Sequence, residues 1–74
     1  MKDYYFTYGG NHLTKDGLSL GNFYTKISAD SYMSARRKMF EARSDVWAFQ
    51  YESAEDAGVY RFRLLEAPLE RVAL

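Results

Sequence analysis

The side chains able to perform acid–base, nucleophilic or metal chemistry are few. The 74 residues hold one histidine, His12, and no cysteine. His12 stands in "GGNHLTKDG", where no nucleophile is marked out for it to activate. Its ordinary reading is a solvated loop residue. Asp16 lies four residues on, and one imidazole with one carboxylate does not complete the ligand set that zinc or calcium requires. The same stretch lacks the GxxxxGK[ST] spacing of a phosphate loop and does not open directly into a helix. No catalytic, cofactor-binding or metal site is expected, and the chain reads as a non-enzyme.

What the chain has in excess is aromatic rings, with arginines set among them. Seven Tyr, five Phe and one Trp make up 18% of it, and each buried ring removes on the order of 150–250 Å² from water. A chain this short buries only about 60% of its unfolded surface. With no disulfide available, a ring-rich core or an oligomeric partner must supply the stability. The same residue types dominate binding hot spots. In "ARRKMFEAR" a basic run of Arg36, Arg37, Lys38 and Arg43 is interleaved with Met39 and Phe40. Arg36 reads as a residue whose stem covers the edge of the core, while Arg43 fits that role and a partner contact equally well. Arg37 and Glu41 are spaced as an ordinary solvated i,i+4 pair.

The elements that must position these residues follow from periodicity. Residues 3–8 alternate Tyr4, Phe6 and Tyr8 against Tyr5 and Thr7, as a strand does. Residues 9–21 are glycine-rich, without apolar period, and are expected to form a long mobile connection. A second strand at 22–28 alternates Phe23, Thr25 and Ile27 against Tyr24 and Lys26, and should pair antiparallel with the first. A helix over 31–42 is expected, with Asp30 as its cap. Tyr32, Met33, Ala35, Met39, Phe40 and Ala42 form its apolar arc, into which Arg36 and Arg43 project. A third strand is expected at 46–51, a short helix or turn at 54–57, and an extended segment at 60–72 interrupted near Pro68. The result is one α+β domain of ββαβ type, with a three- to four-stranded, mostly antiparallel sheet and one main helix on one face.

"YYFTYG", "KISADSYMSARRKMF" and "WAFQY" together resemble a group of very small proteins encoded by bacteriophages, prophages and other mobile elements. The resemblance covers most of residues 2–52, carried by Tyr4 to Gly9, Ala29–Asp30, Ala35–Arg36, Met39–Phe40 and Trp47 to Tyr51. It implies a phage-type accessory protein of a bacterial host; with no long apolar run and no cysteine, the chain is expected in the cytoplasm. By analogy with other small phage proteins, it implies an inhibitor of a host defence system such as CRISPR-Cas.

Three uses of the surface follow. In the first, the chain binds a host protein or ribonucleoprotein complex through Tyr5, His12, Tyr24, Arg37, Lys38 and Arg43, with the loop from His12 to Leu20 as an adaptable contact. In the second, the tyrosines and helix arginines hold single-stranded nucleic acid. Ten basic and ten acidic residues cancel, so no overall field assists that binding. In the third, the chain self-associates as a homodimer. Membrane insertion is not expected, because the apolar runs fall far short of the roughly 20 residues a spanning helix needs.

Overall fold

The computed structural model describes residues 1–74. Strand β1 (Lys2–Thr7) pairs antiparallel with β2 (Phe23–Ala29) over six residue pairs, among them Tyr4 with Ile27 and Phe6 with Thr25. This register puts Tyr4, Phe6, Thr25, Ile27 and Ala29 on one face, and all of them are buried. Helix α1 (Tyr32–Arg43) covers that face, with Ala35 and Met39 in contact with the core. Beyond it come β3 (Phe49–Tyr51), helix α2 (Ala54–Ala57), β4 (Leu65–Glu66) and helix α3 (Leu69–Val72). The sheet runs β3-β1-β2-β4, with β3 antiparallel to β1 and β4 parallel to β2. The architecture is therefore a small α+β domain on a four-stranded mixed sheet, with the main helix on one side.

The opposite face is covered in part. Helix α2 lies against β1 and β3, and Ala57 and Val59 are buried outside the main core cluster. Its ends match the sequence closely. Ser53 accepts from Asp56 N at 3.1 Å, and Gly58, left-handed at φ 79°, donates to the carbonyls of Ala54 and Glu55. A Cβ at position 58 would sit 2.6 Å from the Phe62 ring, so the absence of a side chain lets that ring rest on the backbone.

Several expectations are corrected. Ser31, not Asp30, caps α1: its backbone is extended at φ −152° and its hydroxyl accepts from Ser34 N at 3.1 Å. The third strand spans only 49–51, because Val46 and Trp47 donate their amides to the carbonyls of Arg43 and Asp45 in the turn that carries the chain across to β1. The segment 60–72 is not extended. It turns at 60–63, pairs for two residues as β4, and ends in α3, which begins directly after Pro68. The alternation of Tyr60, Phe62 and Leu64 with arginines has the period of a strand, yet Phe62 N donates to Gly58 O and Leu64 N to Val59 O, as in a tight turn.

The connection after β1 is also more ordered than its composition suggests. Gly17, at φ 85°, donates to Thr14 O; Leu13 bridges Ser19; and Leu20 is buried in the core. Leu20 N donates to His12 O at 2.8 Å, which closes the loop on itself. One buried leucine and this ladder remove the freedom that the glycines allow.

Candidate interaction surfaces

Arg43 is fully buried, at 0% exposure, and is not available as a partner contact. Its Nε donates to Val46 O at 2.9 Å, Nη1 to Val72 O at 2.6 Å and Nη2 to Leu13 O at 2.9 Å. The guanidinium also lies over the Tyr8 ring, 5.3 Å from its centroid. No carboxylate bonds to it, so its charge is offset by carbonyl dipoles and a ring face. A planar fork of fixed donors suits this task and an ammonium does not. The three carbonyls belong to the glycine-rich loop, the turn after α1 and the last helix, and Arg43 ties all three to α1.

A second polar chain lies beside it. Thr25 Oγ1 donates to Ala67 O at 2.8 Å and lies 2.6 Å from the Tyr8 hydroxyl. Because the single threonine hydrogen is directed to Ala67, the Tyr8 phenol is the donor to Thr25. Burial pushes the Tyr8 pKa up from 10.0, opposed by the positive charge of Arg43.

Arg36, two turns earlier, is exposed and stacks on Trp47 at 4.8 Å. Trp47 is half-buried, packs edge-on against Phe6 with centroids 5.1 Å apart, and donates its Nε1 hydrogen to Ser44 O. Beside this pair Met33 is 64% exposed and Phe40 57% exposed, contrary to their expected place in the core arc. Only Ala35, Met39 and Arg43 are fully buried along α1, a single row at i, i+4 and i+8. The buried stripe is thus narrower than the apolar arc, and Met33 and Phe40 are left outside with Arg36 and Arg37. None of these cations has a carboxylate within 4 Å, so the expected Arg37–Glu41 pair is not formed; the one ion pair of the molecule joins Lys2 and Glu52.

The other predicted contacts separate into groups. Arg37 and Lys38 are exposed on α1, although Lys38 Nζ donates to Ser28 O at 2.9 Å and is partly occupied. Tyr5 and Tyr24 lie on the face of the sheet away from α1, with ring centroids 5.9 Å apart, both half-buried. Burial pushes the Tyr24 pKa up, with Glu66 adding to the shift, Lys26 opposing it, and Tyr5 and Tyr60 contributing in the upward direction. His12 stands apart from both groups: its Nδ1 accepts from Gly9 N at 2.9 Å, and its ring meets Tyr8 edge-on. Nδ1 is thereby an acceptor and the imidazole is held as part of a turn.

Two concavities border these surfaces. One of about 320 Å³ lies between the loop 14–20 and residues 66–72, with Asp16, Glu66 and Arg71 around Leu20, Phe23 and Val72; His12 does not line it. The other, about 310 Å³ and open, is lined by Thr7, Asn22, Tyr51 and Phe62 among others. No cluster of three or more His, Cys, Asp or Glu side chains is placed to hold a metal ion, and no helix is long and apolar enough to cross a membrane. No protein-family model, no curated protein and no solved structure matches this chain.

Proposed function

We propose that this is a non-enzymatic binding module that uses the α1–Trp47 edge to engage another protein. The observation that carries the reading is the exposure of Met33 and Phe40 on either side of Arg36 and Arg37, which lack acidic partners in their own chain. Met, aromatic and Arg side chains are the types that dominate interface centres. Arg36 is already ordered by its stack on Trp47, so less side-chain entropy is lost when it docks. The complementary surface is an apolar patch rimmed by carboxylates. On the motif resemblance, the partner is a component of a bacterial host complex and the consequence is inhibition of a defence system such as CRISPR-Cas.

The test is capture of partners from bacterial lysate with the wild-type chain and with an Arg37→Glu, Phe40→Ala variant whose circular dichroism matches wild type. The reading expects a defined partner that the variant loses. An identical set of captured proteins from both chains removes α1 from the interface.

A further inference from the structure

We propose a second binding site on the far side of the sheet, which takes a short stretch of single-stranded nucleic acid through Tyr60, Phe62 and the open cleft beside them. Tyr60 is 71% exposed and Phe62 65% exposed. They sit in a turn whose backbone is closed by bonds from Phe62 N to Gly58 O and Leu64 N to Val59 O. Tyr60 stands clear of the turn and Phe62 rests on Gly58 with the rest of its ring open, so both rings are placed with little conformational freedom left to lose, which is what base stacking needs. Phe62 and Tyr51 stand in the wall of the open cleft, where Thr7 and Asn22 add a hydroxyl and an amide able to meet the edge of a base.

Charge supports the same occupant. Arg61 and Arg63 alternate with the two rings and are exposed, Arg61 lies 5.3 Å from the Phe62 centroid, and neither arginine has a carboxylate partner. Lys26, exposed, lies across from Tyr5 in the register of the adjoining sheet face. Arg63 holds φ at 52°, a left-handed conformation that non-glycine residues adopt only at a cost and that is concentrated at functional sites. Glu55 and Asp56 of α2 and Glu66 of β4 are also exposed, so the basic surface is confined to Arg61, Arg63 and Lys26. Neutral overall charge is compatible with such a site, because only the phosphates lying along it need neutralising.

The test is fluorescence anisotropy of a short labelled oligothymidylate, and of the matching oligouridylate, at about 20 mM salt. The proposal expects saturable binding that weakens with salt at a log–log slope of about −2, for three cations on a single strand. Tyr60→Ala and Phe62→Ala should each weaken binding about tenfold, while Tyr60→Phe, which keeps the ring, should bind like wild type. Arg61→Ser with Arg63→Ser should flatten the slope by about 1.4, and Arg37→Glu on the opposite layer should leave it unchanged. No anisotropy change at low salt overturns the proposal. So does binding that is indifferent to Tyr60→Ala and equally lost with Arg37→Glu, which is generic polyanion attraction. Neither outcome bears on protein capture by α1.

Discussion

Arg36 and Arg43 are one heptad apart on α1, and two helical turns return a side chain to within about 20° of its starting direction. They nevertheless end in opposite surroundings. Arg43 is roofed by Leu13, Val46 and Val72 and bonds to a carbonyl of each; Arg36 meets one indole and otherwise faces outward. The helix treats both positions alike. What differs is whether distant segments close over them, and they do so only at the C-terminal end of α1, where Leu74 N also donates to Ala42 O. One end of the helix is thus a structural junction and its outer edge is a surface.

The strongest way to break this comparison is to remove the Arg43 side chain. Arg43→Ala strands buried carbonyls and opens a cavity, and should lower unfolding free energy by about 3 kcal/mol or more in urea denaturation. Arg43→Lys should recover only a minor part, since one ammonium cannot reproduce the fork. Arg36→Ala should lose about 0.5–1 kcal/mol, and equal losses at the two positions would refute the division.

Trp47 belongs to both regions, packing on Phe6 within and under Arg36 without. Trp47→Ala should cost about 2–3 kcal/mol of stability, below the range of a fully buried ring, and should also weaken partner binding. Phe40→Ala should separate the two effects. Its stability should change by no more than about 0.5 kcal/mol, while affinity for the captured partner falls by about 2 kcal/mol in titration calorimetry.

The last effect depends on pH and concerns Tyr8. Burial raises its pKa above 10.0 in the folded chain, so between the unfolded and folded values the native state holds more protons. Stability from this group is complete below about pH 10 and is lost as pH rises through the folded value. Tyr8→Phe should cost about 1 kcal/mol at neutral pH for the missing bond to Thr25, and should flatten the alkaline decline measured by denaturation at pH 9 to 11.

Much of the framework was legible in the sequence. The two long strands and α1 fall within a residue or so of their expected bounds because period is a local signal, although the cap of α1 is Ser31 rather than Asp30, and "SAEDAG" marks the short helix or turn that is α2. The short elements were not legible, because β4 and α3 exist through tertiary contacts: Leu65 N reaches Asn22 O, Ala67 N reaches Tyr24 O, and Arg43 holds Val72. Among site residues, Tyr5 and Tyr24 lie on the face their alternation assigns them but are half-buried against each other rather than exposed, whereas Arg43 was open to two readings that only its roof decides. Met33 and Phe40 were expected inside because apolar type alone does not reveal how narrow the covered stripe is. The row Ala35, Met39, Arg43 was visible in the spacing, but its last member is charged, and burial of a charge requires carbonyls that no local pattern announces.

The sheet stops short on both sides, after three residues in β3 and two in β4. An outside strand seeking unpaired amides and carbonyls would find too few in line to register against. The large side chains displayed to water, Met33, Phe40, Phe49, Tyr60, Phe62 and Leu65, are thus not backed by a long open strand edge that would pair copies of the chain.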